Sequence, residues 1–184
     1  MWEAGIKCVK HHVRHVLRNN SLTFEEYTTL LCRIEACLNS RSIEPMFDSF
    51  DDYEPLTPGH LLVGSDIGLP SPSTLHISEN RLTRWQLVRH LTERFWRVWY
   101  HDYVNTLQQR GKWRKVQPSV NVGQLILIRN STLPPCKWEL RRVTQCHPDP
   151  DRLTRVVTVR TANSTLQRPI VKICLLPINC EIEE

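Results

Sequence analysis

The residues with the most chemical content fall within the first seventeen helix-forming positions, WEAGIKCVKHHVRHVLR, residues 2–18. At about 3.6 residues per turn, Glu3, Lys7, Lys10, Arg14 and Arg18 share one side, beside an apolar stripe of Trp2, Ile6, Val9, Val13 and Val16. A carboxylate in line with cations has two readings. It can hold a divalent metal ion while the bases next to it hold phosphates, which is part of what two-metal phosphoryl transfer needs. It can equally be a first-turn glutamate favoured by the helix dipole and nothing more. One acid does not make a two-metal site.

Other chemistry finds less support. His11 and His15, one turn apart, could present two imidazoles to zinc with Cys8 as a third ligand, but no glutamate completes a His-Glu-x-x-His motif. Surface histidines beside lysines, His12 among them, are the simpler reading. No motif sets a base beside a nucleophile, and Gly59, Gly64 and Gly68 stand in a proline-rich setting, not between a strand and a helix where they would cradle a nucleotide. Seven cysteines, an odd number without a Cys-x-x-Cys pair, and the lack of a signal peptide or a membrane-length apolar run suggest buried thiols in a reducing compartment. The expectation is an intracellular protein, nuclear or cytoplasmic.

The elements that must position these residues follow from the pattern. The charge of +5 is unevenly spread: residues 1–43 carry +2, 44–78 carry −6, 79–115 and 116–178 carry +6 each, and 179–184 carry −3. Basic segments around an acidic one suit a polyanionic partner. A second helix begins at a capping box, Thr23 with Glu26, and runs to about Asn39 with Phe24, Tyr27, Leu31, Ile34 and Leu38 along one face. Residues 44–78 are rich in proline and glycine and read as a partly ordered acidic linker with one apolar insert, His60–Val63. A long basic, aromatic helix comes next, from a cap at Thr83 to about Gln109, with Trp85, Val88, Phe95, Trp99 and Tyr103 on one side. Such rings belong in a core; the other reading is an exposed platform for bases.

Beyond Val120 the period changes to two. Strands are expected at 122–128, 138–146, 153–160 and 165–169, with a last short element near 170–175, together a small β-barrel with loops at Pro134-Pro135 and His147–Asp151 and a hairpin turn at Ala162-Asn163-Ser164. The chain is thus read as α+β in five parts: helices 1–43, linker 44–78, helix 79–115, barrel 116–178 and acidic tail 179–184.

Trp2-Glu3-Ala4-Gly5-Ile6-Lys7, Leu22-Thr23-Phe24-Glu25-Glu26 and Leu38-Asn39-Ser40-Arg41 resemble the end of the integrase catalytic core of Pao/BEL-type LTR retrotransposon polyproteins. Leu56-Thr57-Pro58-Gly59-His60-Leu61-Leu62-Val63-Gly64, Trp85-Gln86-Leu87-Val88, Phe95-Trp96, Leu107–Trp113, Asn121-Val122-Gly123, Leu133-Pro134-Pro135, Trp138-Glu139-Leu140 and Arg155–Thr161 resemble the linker, helix and small terminal domain downstream of that core. The resemblance implies helices from a truncated RNase H-like core, a long aromatic helix and a small SH3-like barrel. It implies a parent enzyme that joins cDNA ends to host DNA with three acids and two Mg2+ or Mn2+ ions. Glu3 matches the third acid, and thereby a metal ligand in an intact core; the two aspartates are not among these residues. The acids at 48, 51, 52, 54 and 66 come after Glu3 in a loop and do not replace them.

The expectation is therefore an integrase fragment that binds DNA without completing strand transfer, needing no cofactor of its own. Lys7, Lys10 and Arg14 on the helix, and Lys112, Arg114, Lys115, Arg129, Lys137, Arg141, Arg142, Arg155 and Arg160 in and before the barrel, are its candidate phosphate contacts. Partners are expected to be DNA and a second copy or an integrase, with no membrane and no small-molecule substrate. Alternative readings are a protein-interaction or oligomerisation module and a pseudogenic remnant without cellular function. Members of the resembled family usually carry glycine at the position of Arg141. An arginine there needs either an ordinary backbone or a weakened barrel.

Overall fold

The computed structural model describes residues 2–18, 20–46, 54–68, 73–78, 81–107, 120–130, 133–151, 153–160 and 164–176. They form two compact units. The first comprises Met1–Arg41, Pro58–Asp102 and Thr132–Lys137; the second comprises Ser42–Thr57, Tyr103–Ser131 and Trp138–Glu184. Among the described residues no helix is long and apolar enough to cross a membrane.

The first unit is helical. It contains α1 (Trp2–Leu17), α2 (Phe24–Asn39), the short α3 (Pro58–Val63) and α4 (Arg84–Leu107) as far as Asp102. α1 buries Val13, Val16 and His12, while Ile6 at the far end of the expected stripe is exposed. α2 starts at the expected capping box: Glu26 N–H donates to Thr23 Oγ1 at 3.3 Å and Thr23 N–H to Glu26 Oε2 at 2.8 Å. Its inward face differs from the sequence reading. Leu30, Ile34 and Cys37 are buried, whereas Tyr27 and Leu31 are exposed and Phe24 is 81 % exposed. The helix carries two adjacent apolar strips, so periodicity alone does not choose between them. Side chains reaching α4 choose: Arg84 grips both carboxylate oxygens of Glu26 and donates to Ser21 O at 3.0 Å, and the Arg33 guanidinium lies 4.8 Å from the Trp85 ring centroid.

α4 also starts at its expected cap, with Thr83 N–H donating to Gln86 Oε1 at 2.9 Å. Phe95, Trp96, Trp99 and Tyr100 are buried as a ring cluster, Phe95 and Trp99 stacked with centroids 6.5 Å apart and Trp96 and Tyr100 at 5.5 Å. The core reading of these rings therefore holds, except at Trp85, which is 55 % exposed. A buried carboxylate, Glu93, accepts from Thr74 N–H at 3.0 Å, Thr74 Oγ1 at 3.3 Å and Ser73 Oγ at 3.2 Å. These charge-assisted bonds fix residues 73–78 to α4. Residues 44–78 contain α3 and the two-stranded pairing of β1 (Glu44–Pro45) with β2 (Pro55–Leu56). Residues 133–137, with the expected Pro134-Pro135 loop, fall between two strands of the sheet in sequence and group with the helical unit.

The second unit is built on β3 (Leu125–Ile128), β4 (Leu140–Pro148), β5 (Thr154–Arg160), β6 (Thr165–Pro169) and β7 (Ile173–Leu175). All neighbours are antiparallel, in the order β6-β5-β4-β3-β7, and a single 3-10 turn, Ile170–Lys172, precedes β7. Register sets Leu127 opposite Leu140 and Cys174, and Val143 opposite Val159. One face carries the core of Ile126, Ile128, Val143, Val157, Val159 and Ile173 with Val120. β3 is buried at all four positions because its other face, with Leu125 and Leu127, is covered as well. There Cys174 Sγ lies 3.5 Å from Val104 O, and Tyr103 meets Trp138 edge-on with centroids 5.6 Å apart, so the last turn of α4 packs on this sheet. The strand bounds expected from alternation are shifted by no more than a few residues.

Candidate nucleic-acid interface

On α1, steps of four, three and four residues from Glu3 to Lys7, Lys10 and Arg14 keep all four side chains on one side, and all four are exposed. Burial of His12, Val13 and Val16 on the other side is what turns that ladder outward. Among the described residues no group of three or more His, Cys, Asp and Glu is placed to hold a metal ion. Glu3 is a first-turn glutamate, at the helix end where a carboxylate is favoured.

The three histidines separate. His11 and His15 are exposed, but His12 is 2 % exposed, which corrects its reading as a surface residue. Its Nε2 faces Asp102 Oδ2 of α4 at 3.5 Å, its ring meets Phe95 edge-on with centroids 6.2 Å apart, and its Nδ1 is buried without a hydrogen-bond partner among the described residues. Burial pushes its pKa down, opposed by Asp102 and reinforced by His11 and His15. Asp102 also lies 3.6 Å from His101 Nδ1. Burial, with the Asp102 charge behind it, raises the Cys8 thiol. The expectation of buried thiols holds for Cys37, Cys136 and Cys174 and fails for Cys8 and Cys32, which are exposed.

The remaining candidate bases that are described fall in both units. Lys112, Arg114 and Lys115 lie outside the described residues, as do Asp48, Asp51, Asp52, Ala162, Asn163 and the tail 179–184. Lys137 is exposed in the helical unit, 3.8 Å from Asp66. In the sheet unit, Arg129, Arg141 and Arg142 are half-buried. Arg141 donates to Leu140 O at 2.7 Å and faces Glu139 at 3.8 Å, and Arg142 donates to Gly123 O at 3.0 Å. Arg141 sits in β4 opposite Ile126, outside the positive-φ region, so no glycine geometry is required there. Gly123, with φ 87, is where such freedom is used: its N–H donates to Val143 O at 2.8 Å.

Arg155 and Arg160 are both exposed, at opposite ends of β5, and Arg155 falls at the irregularity in the β4–β5 register, between Thr154 opposite Pro148 and Val156 opposite His147. Arg155 is held between Asp149 and Asp151, which raise its pKa, and Asp151 is lowered first by the Leu153 N–H it accepts and then by Arg155. Lys172, a base outside the sequence reading, is exposed on the 3-10 turn, and its carbonyl accepts from Arg129 N–H at 2.8 Å. The turn before β7 brings it beside the end of β3, a proximity that pairing creates and local sequence does not announce.

Neither a curated protein nor a solved structure matches the chain. One family model does, a family of unknown function designated DUF5641, over residues 83–176. The match runs from the capping threonine of α4 through β7 and takes in about half of the 184 residues. The chain belongs to the DUF5641 family.

Proposed function

We propose that this chain is the C-terminal portion of a retrotransposon integrase of the Pao/BEL type and that it binds duplex DNA through phosphate contacts, without base specificity. The observation that carries the proposal is the ladder on α1: Lys7, Lys10 and Arg14 are exposed along one side of a helix whose opposite side is packed from His12 to Val16. Consecutive cations about one helical turn apart suit the backbone of a nucleic acid. The strand order β6-β5-β4-β3-β7 with a 3-10 turn before the last strand supports the SH3-like barrel that the resemblance implies. The RNase H-like parentage of α1 and α2 rests on the resemblance alone.

Of the three acids that family uses, these residues supply Glu3, so strand transfer needs two carboxylates from outside them. The metal-dependent half of the proposal is tested by offering viral-type DNA ends with Mg2+ or Mn2+: this chain is expected to be inactive. Activity lost on Glu3→Gln would overturn that. Binding is tested by fluorescence anisotropy of a labelled duplex across salt. An affinity that falls steeply with salt is expected; no affinity, or one flat in salt, overturns the reading.

A second reading, a protein-interaction module, is favoured by the exposed apolar residues Leu61, Leu62 and Val63 of α3 together with Phe24. Nuclease-treated protein that is oligomeric by light scattering and fails to shift DNA would favour it.

A further inference from the structure

Six cysteines are described, and two of them face each other. Cys37, in the last turn of α2, and Cys136, in the turn after Pro134-Pro135, bring their Sγ atoms to 4.0 Å inside the helical unit. They are 99 positions apart in sequence, and they are 0 % and 4 % exposed. The other described thiols are engaged or placed differently. Cys146 Sγ donates to Val120 O at 3.1 Å, Cys174 Sγ to Val104 O at 3.5 Å, and Cys8 and Cys32 are exposed.

Cys136 also has the unusual backbone. Its φ of 66 lies in the left-handed region, which a residue with a β-carbon adopts only where its surroundings impose it. Here the preceding prolines fix the entry to the turn, and Lys137 N–H closes it on Pro134 O at 3.2 Å. The same turn carries the Cys136 thiol to the buried face of α2, the face that holds Leu30 and Ile34. Closing the 4.0 Å between the sulfurs to a disulfide bond of about 2.05 Å takes rotation of the side chains about their Cα–Cβ bonds.

We propose that Cys37 and Cys136 form a reversible dithiol–disulfide pair that ties the end of α2 to the 133–137 turn when the chain meets a low-molecular-weight disulfide such as oxidised glutathione. Cys136, the less enclosed thiol, reacts first. As its thiolate it attacks one sulfur of the oxidant, breaking that S–S bond, forming a mixed disulfide and releasing one thiol. Cys37 then gives up its proton and attacks the Cys136 sulfur, expelling the second thiol. Two protein thiols are oxidised by two electrons and one disulfide is reduced to two thiols, so atoms and electrons balance. In the dithiol the facing Cys136 thiol, and burial with it, raise the Cys37 thiol; burial persists once Cys136 is in the mixed disulfide and makes the second step the slower one.

The test uses the full chain with Cys8, Cys32 and Cys180 changed to serine, equilibrated in glutathione buffers graded from reducing to oxidising and then alkylated under denaturing conditions. The expected result is a cross-linked pair of peptides carrying Cys37 and Cys136, reversed by excess reduced glutathione, with a higher Tm in the oxidised form. Cys37→Ala and Cys136→Ala should each abolish the Tm difference. Alkylation of both thiols after full oxidation would overturn the proposal, and so would a stable glutathione adduct at Cys136 that never resolves. If either alanine variant is unfolded, the peptide map and Tm difference of the parent decide alone.

Discussion

The cations of α1 and those of β5 show how the geometry of an element governs the charge it can display. On α1, spacings of four and three residues return each side chain to the same side, so Lys7, Lys10 and Arg14 add to one another. On β5, Arg155 and Arg160 stand at opposite ends of the strand, and Arg155, at the irregularity in the β4–β5 pairing, meets the acidic turn that joins β4 to β5. Two segments of similar basicity therefore present different surfaces. Counting charges by segment, as sequence permits, does not distinguish them.

The widest version of this comparison sets the cores of the two units against each other. Phe95 in the helical unit and Ile126 in the sheet unit are both fully buried. Phe95→Ala is expected to cost about 3–5 kcal/mol and Ile126→Ala about 2–5 kcal/mol. Hydrogen exchange checks where the loss falls: Phe95→Ala should deprotect α1, α2 and the first turns of α4, and Ile126→Ala should deprotect β3 to β7. Uniform deprotection by either variant would mean that the two units open as one, and the comparison between them would lose its meaning.

Next in size is the electrostatic term. Each phosphate contact contributes about 0.9 to the slope of log affinity against log salt, so the triple variant Lys7→Gln, Lys10→Gln, Arg14→Gln should lower that slope by roughly 2–3. Anisotropy titrations at several salt concentrations measure it. An unchanged slope would move the interface off α1 and onto the sheet unit.

Much of the fold is legible in spacing alone. Both capping boxes, the helix lengths and the change of period near Val120 are local properties, and local properties write themselves into spacing. The ladder is legible for the same reason. Tertiary pairing decides the rest, and spacing does not carry it. The rotation of α2 depends on Arg84 and Trp85, more than fifty residues away; the burial of His12 depends on Phe95 and Asp102; the Cys37–Cys136 pair depends on a turn that leaves the strands to join the helices. Arg155 reads as a phosphate contact in the sequence because its acidic partners, four and six residues upstream, become neighbours only when the hairpin closes.

His12 offers a smaller effect with a different pH signature in each unit. Its folded pKa lies below the ordinary 6.5, so in the window between the two values the unfolded chain binds more protons than the folded one. The stability it contributes is complete above pH 6.5 and is lost as the pH falls through the lowered folded value. Asp102, His11 and His15 are the charged or titratable groups that act on it, and His12→Gln should flatten this part of the Tm profile while leaving Asp102 in place. In the sheet unit the corresponding group is Asp151, whose pKa is lowered from 3.8. Its contribution is intact above that value and disappears only in stronger acid. A chain that softens in the helices as the pH falls below 6.5 but in the sheet only below 3.8 fits this division; the reverse order breaks it.

The smallest expected effect is the most discriminating, because it concerns a base that is present and exposed yet already neutralised. Arg155→Gln removes one positive charge but also leaves Asp149 and Asp151 facing outward without their partner. The salt slope should fall by less than about one unit, less than for any one base of the α1 ladder. The informative counterpart is Asp149→Asn with Asp151→Asn, which frees the guanidinium and deletes two repulsive charges. Affinity for the duplex should then rise at low salt and the slope should steepen by up to about one unit, with Arg160 at the far end of β5 contributing equally before and after. If freeing Arg155 changes nothing, the β4–β5 turn does not approach DNA at all, and the α1 ladder carries the contact without this end of the sheet.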